Sequence, residues 1–122
     1  MSGTIEEIGG VRAYVCDAAG PQIATERDVS DLLGEMFSLR AGWVVIPAAR
    51  LTPAFFDLKT RFAGEMLQKL VNYDRRVVIL GDISAAVAGS GALRDFVRES
   101  NRGTTVWFMP DMAALEAKLA RA

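Results

Sequence analysis

LTPAFFDLKTRFAGEMLQKLVNYDRRVVILGD, residues 51–82, runs through a turn, a helix and a buried strand, and the flanking sequence extends that pattern in both directions. Thr52-Pro53 is an N-cap followed by proline at the first helical position, which predicts a helical turn over 53–57. Over 61–73, Phe62, Ala63, Met66, Leu67, Leu70 and Val71 share one helical face, while Arg61, Glu65, Gln68, Lys69 and Asn72 share the other. Burying that apolar face at roughly 1.5–3 kcal/mol per side chain gives about 9–18 kcal/mol of gross stabilisation, well above the helix-propensity cost of about 1 kcal/mol at Gly64. One side must therefore pack, and the other carries an ordered row of polar groups. The run from Val77 to Leu80 is apolar throughout and reads as a strand covered on both faces, closed by Gly81-Asp82.

A chain of 122 residues with 51% apolar content fits one domain with a real core. Net charge is −1, from 14 basic and 15 acidic residues spread along the chain, so the basic footprint that nucleic acid or an anionic membrane requires is missing. The single cysteine, Cys16, excludes an internal disulfide framework. No histidine is present, which removes Ser-His-Asp and Cys-His catalysis and, with one cysteine, a structural zinc site. No cofactor is expected. There is no signal-like amino terminus and no apolar run of membrane-spanning length, so a soluble, cytoplasmic, bacterial protein is expected.

Residues 4–8 and 11–16 read as strands joined by Gly9-Gly10, with Val11, Ala13 and Val15 on the one packed face of the second. Residues 17–23, containing Gly20-Pro21, form a loop. Thr25 caps the next helix, with Asp28 completing a capping box; the helix runs to about Leu39, and Ala41-Gly42 ends it. Trp43-Val44-Val45-Ile46 is a central strand closed by Pro47. Residues 84–91 form a loop or loose turn. Ser90 caps a helix over 92–100, residues 104–109 give the last strand, and a terminal helix turns Leu115 and Leu119 inward. The order is β-β-α-β-α-β-α-β-α, and the economical solution is an α/β mixed sheet of about five strands with helices packed on it.

That order resembles the sulfate-transporter and anti-sigma-antagonist (STAS) domain. The segment from Phe55 to Thr60, followed by a helix and then by the run from Arg76 to Asp82, is similar to part of SpoIIAA-like proteins. FFDLKTRFAGEMLQKLVNYDRRVVILGDIS and ALRDFVRESNRGTTVWF more closely resemble the domain-of-unknown-function 4180 family. The resemblance spans nearly the whole chain and implies a STAS-like fold without an established activity. STAS regulators carry a phosphorylatable hydroxyl at the entry to the helix after the third strand. Here the Asp-Ser-Ser-Gly run is replaced by Leu58-Lys59, and Thr60 is the hydroxyl the resemblance carries over.

Two surfaces carry functional expectations. The polar helix face, Glu65, Gln68, Lys69 and Asn72 with the apolar lead-in Phe55-Phe56, suits an interface with a protein partner or a second copy, as in a homodimer. Its plain alternative is a solvated face laced with ion pairs worth about 0.2–0.5 kcal/mol each, since Arg61, Glu65 and Lys69 follow one another at spacings of four and Gln68 and Asn72 form another such pair. The carboxyl ends of the strands gather Asp57, Thr60, Arg61, Asp82 and Ser84, where a small anion could sit at a helix N-terminus, helped by Arg50 or Arg61. Asp57 and Asp82 could instead hold a divalent cation, or they could simply shape turns. Gly89-Ser90-Gly91 lacks phosphate-loop spacing and reads as a helix entry. Asp95 and Arg98 are spaced for an ion pair, and Cys16 reads as a packed thiol. The leading expectation is a non-enzymatic STAS-like regulatory or interaction domain. An anion- or nucleotide-binding module is the alternative, and an enzyme using Asp57, Glu65 or Asp82 ranks third.

Overall fold

The computed structural model describes residues 3–121. Five strands form one mixed sheet in the order β1-β2-β3-β4-β5, with β1 (Gly3–Ile8), β2 (Val11–Cys16), β3 (Trp43–Pro47), β4 (Arg76–Leu80) and β5 (Val106–Met109). β1 and β2 are antiparallel with Ile8 opposite Val11, so Gly9 and Gly10 are the two loop residues, and both take positive φ. The remaining pairs are parallel, with Ala13 beside Trp43, Val44 beside Val77 and Val77 beside Val106.

The crossovers carry α1 (Glu26–Ser38), α2 (Pro53–Phe56) and α3 (Phe62–Asn72), then α4 (Ser84–Ala88) and α5 (Gly91–Arg102), with α6 (Met112–Arg121) following β5. The expected alternation is therefore not matched in full. Short 3-10 turns at Ala48–Arg50 and Leu58–Thr60, together with α2 and α4, are interposed between the longer elements.

Each parallel crossover advances by one strand in the same direction, and crossovers of a single hand leave their helices on one side. Tyr14, Cys16, Val44, Ile46, Val77, Ile79, Val106 and Phe108 accordingly pack against α1 and α3, with Phe96 and Val97 of α5 joining them. Ile8, Ala13, Val45, Val78 and Trp107 turn to the opposite side, where Leu115 and Leu119 of α6 cover them. β2 is thus packed on both faces: Tyr14 and Cys16, expected on its outer side, are buried. Within α3 the buried set is Ala63, Met66, Leu67 and Leu70, while Phe62 and Val71 are half-buried.

α1 ends at Ser38 with Leu39 as its cap, at the expected end near Leu39, and the closure is made before Gly42. Arg40 takes the left-handed position at φ 57°, its N–H donates to Phe37 O at 3.2 Å, and Ala41 N–H donates to Met36 O at 2.8 Å. α3 ends the same way: Asp74 sits at φ 60°, with Asp74 N–H to Val71 O at 2.9 Å and Arg75 N–H to Leu70 O at 3.0 Å. Both are Schellman closures, in which buried Ala41 or half-buried Arg75 follows a non-glycine residue where glycine is favoured.

Candidate functional site

α1 and α3 lie side by side, and a groove of about 800 Å³ runs along their seam, lined by Thr25, Glu26, Glu65, Gln68, Lys69 and Asn72 among others. The expected capping box fixes its upper end. Asp28 N–H donates to Thr25 Oγ1 at 3.1 Å, and Asp28 Oδ2 accepts from Thr25 N–H at 3.0 Å and from Ala24 N–H at 2.9 Å. The Ala24 amide is the largest of the influences that hold the Asp28 carboxyl below its usual range.

The polar row of α3 is arranged differently from its spacing. Lys69 does not pair with Glu65. It crosses the seam, donates to Ser30 Oγ at 2.6 Å and lies 3.7 Å from Glu26 Oε1, with its side chain 28% exposed. A helix-surface spacing of four identifies neighbours on one helix, whereas here α1 offers a hydroxyl and a carboxylate within reach. Gln68 and Asn72 form the expected pair, with Gln68 Nε2 donating to Asn72 Oδ1 at 2.7 Å. Glu65 is exposed, and Gly64 opens space beside it where a side chain would stand. On the other flank of α3, a smaller groove of about 320 Å³ is shared with α5, and Gly64 and Gln68 border both.

The aromatic lead-in is corrected. Phe55 is fully buried, at 0% exposure, and belongs to the core. Its ring meets that of half-buried Phe56 edge-on, with centroids 5.1 Å apart. Proline at the start of α2 turns Phe55 inward under the α2–α3 connection, so an interface can include only Phe56.

At the strand tips the expected ligand residues are engaged in their own turns. Asp57 Oδ1 accepts from Lys59 N–H at 3.2 Å. The Thr60 hydroxyl lies 2.6 Å from Ala54 O and 2.8 Å from Asp57 O, and accepts from Phe62 N–H at 3.3 Å. Arg61, exposed and left-handed at φ 64°, precedes α3 without a side-chain cap. Asp82 Oδ1 accepts from Ser84 N–H at 2.9 Å, and hydrogen bonds from Ser84, the side chain first, hold its carboxyl below the usual range. Among the described residues no hydrogen bond or ion pair joins the Asp57, Thr60 and Arg61 turn to Asp82 or Ser84. Nor does any group of three or more carboxylates or thiols among them suit a metal ion.

Arg50, expected to assist an anion, is instead 2% exposed. Its Nη1 donates to Asp17 O at 2.8 Å and its Nε to Pro21 O, which ties it to the β2–α1 loop. Burial pushes the neighbouring Cys16 thiol up to about 11, against a smaller opposing effect of the Arg50 charge. Ser90 does cap α5, accepting from Leu93 N–H at 3.1 Å. The expected Asp95–Arg98 pair is replaced by Arg94–Asp95 at 3.4 Å and Arg102–Glu99 at 3.5 Å. Among the described residues no helix is long and apolar enough to cross a membrane.

Comparison with known proteins gives one finding: the family described as "Domain of unknown function (DUF4180)" matches residues 8–119. No curated protein and no solved structure matches the chain.

Proposed function

The chain belongs to the DUF4180 family, a domain of unknown function, and on that premise we propose that it is a STAS-like, non-enzymatic interaction domain. It docks the α1–α3 groove against a protein partner or a second copy. The observation that carries this reading is the groove itself, about 800 Å³, with Glu65, Gln68 and Asn72 along it and Lys69 bracing its two walls. Lys69 is held by α1, so the recognising groups are Glu65, Gln68 and Asn72, and of the aromatic lead-in only half-buried Phe56 is left to contribute. The consecutive strand order with an antiparallel first pair supports the STAS-like reading.

The anion reading at Thr60, Arg61 and Asp82 has less support, because the Thr60 hydroxyl and the Asp82 carboxylate already satisfy local backbone groups. The same engagement of Asp57 and Asp82 supports binding over acid–base chemistry.

Sedimentation over a concentration series tests the self-docking form. Wild-type protein gains weight-average mass with concentration, and Glu65→Arg/Gln68→Arg stays monomeric while melting normally. A wild-type protein that is monomeric throughout overturns that form.

A further inference from the structure

We propose that the α1–β3 turn, with the start of β4, is a docking site for an acidic peptide segment of a partner protein. It adjoins the α1–α3 groove through Tyr73 but does not rest on the use of that groove.

Three arginines from separate parts of the sequence, Arg12, Arg40 and Arg75, gather at the carboxyl end of α1, and Arg76 flanks them on the α6 side of the sheet, where Trp43 packs with Trp107. Arg12 Nε donates to Leu39 O at 3.0 Å. Arg40 lies within the turn itself, exposed. Arg75 stacks on the Phe37 ring with Cζ 4.2 Å from its centroid, and its Nη1 donates to Ala41 O at 3.3 Å. Arg76 donates its backbone N–H to Gly42 O at 2.9 Å and sets its guanidinium 5.5 Å from the Trp43 ring centroid.

Among the described residues none of the four makes an ion pair; the pairs are Lys69–Glu26, Arg94–Asp95 and Arg102–Glu99. Carboxylates stand nearby at Asp74, between Tyr73 and Arg75 in the chain, at Glu7, opposite Arg12 in the hairpin, and at Glu35 in the last turn of α1. Neutralising the carboxyl end of α1 accounts for Arg12 and for the bond from Arg75 Nη1 to Ala41 O. It does not call for exposed Arg40 or for the stacking of Arg75 on Phe37.

The apolar part of the surface coincides with the charged part. Phe37 and Tyr73, 46% and 51% exposed, are the large exposed hydrophobics among the described residues, and their rings meet edge-on at 5.8 Å. Aromatic side chains with arginine make up the energetic centres of protein interfaces. A guanidinium already held by a ring or a carbonyl loses little freedom when its other donors take a carboxylate. Protein fits better than nucleic acid because the chain as a whole carries −1 and lacks the extended basic surface that phosphate backbones require.

Fluorescence anisotropy with a labelled oligoglutamate peptide, beside oligoglutamine and single-stranded oligothymidylate, tests the assignment at physiological salt. Oligoglutamate should bind saturably and oligoglutamine should not. Arg12→Gln/Arg40→Gln should weaken binding at least about tenfold, and Tyr73→Ala, at an exposed site where the fold survives, should do likewise. The same charge change at the opposite end of the sheet, Arg27→Gln/Arg94→Gln, should leave binding unchanged. Failure of oligoglutamate to bind, unchanged binding in the first two variants, or equal loss in the third would overturn the proposal. Tighter binding of oligothymidylate would overturn it too, by giving the surface to single-stranded nucleic acid.

Discussion

Arg50 Nη1 donates to the Asp17 carbonyl oxygen at 2.8 Å, joining loops that are 33 residues apart in the chain. The same residue accepts from Ile23 N–H through its own carbonyl at 2.7 Å, and Ile23 and Leu51 form an isolated parallel bridge. Side chain and backbone together fasten the β2–α1 loop over the carboxyl ends of β2 and β3.

Arg50→Met keeps most of the side-chain bulk and leaves the Asp17 and Pro21 carbonyls without that donor. It should destabilise the protein by about 2–4 kcal/mol in urea unfolding. Arg50→Lys should recover only part of this, because one ammonium cannot reproduce a planar fork aimed at two carbonyls. A wild-type midpoint in Arg50→Met would show that the loop closes without the guanidinium.

The hairpin glycines separate two effects. At Gly9, φ 55°, a Cβ would stand 2.8 Å from Leu119 Cβ, whereas at Gly10, φ 86°, it would meet nothing within 4 Å. Gly10→Ala should cost about 1–2 kcal/mol for the left-handed backbone alone, and Gly9→Ala about 2–5 kcal/mol once displacement of α6 is added. Equal losses in thermal melts would mean that α6 yields freely.

Asp74→Gly should stabilise the protein by about 1 kcal/mol, because the left-handed closure of α3 is made by a residue with a Cβ. Urea midpoints with unchanged slope give the comparison. A loss of stability would reveal a contact of the exposed Asp74 carboxylate that outweighs the backbone gain.

Cys16 gives stability a pH dependence with a definite sign. Burial raises its thiol from the usual 9.0 to about 11. Between those values the unfolded chain releases the proton while the folded chain keeps it, so stability is fully present below pH 9 and declines as pH rises toward 11. The loss should approach about 2–3 kcal/mol at the upper end. Burial also raises the Tyr14 hydroxyl from its ordinary 10.0, which adds a decline of the same sign. Cys16→Ala should therefore flatten the first part of the fall and leave the later part. Native Cys16 should also react with a thiol reagent far more slowly than in urea.

Much of this architecture was legible because its signals are local. Spacings of three and four marked the packed face of α3, Thr25 and Asp28 marked the start of α1, and Gly9-Gly10 marked the hairpin. What escaped depends on meetings between distant segments. Lys69 looked like a partner for Glu65 until α1 supplied Ser30 and Glu26. Phe55 looked like an exposed lead-in, but its turn delivers it to the core. Arg50 carries no sequence mark of burial, since its acceptors are backbone carbonyls of another loop. Arg12, Arg40 and Arg75 look scattered and come together only when the end of α1 meets the start of β4.

The consecutive strand order also bears on how the chain can acquire its shape. Every sheet partner is the previous or the next strand in sequence, so no strand must be inserted between two that have already joined. Each crossover can settle onto an edge left by the segment before it, and assembly can follow the direction of synthesis. α6, which follows β5, then closes the side of the sheet that the earlier helices leave open.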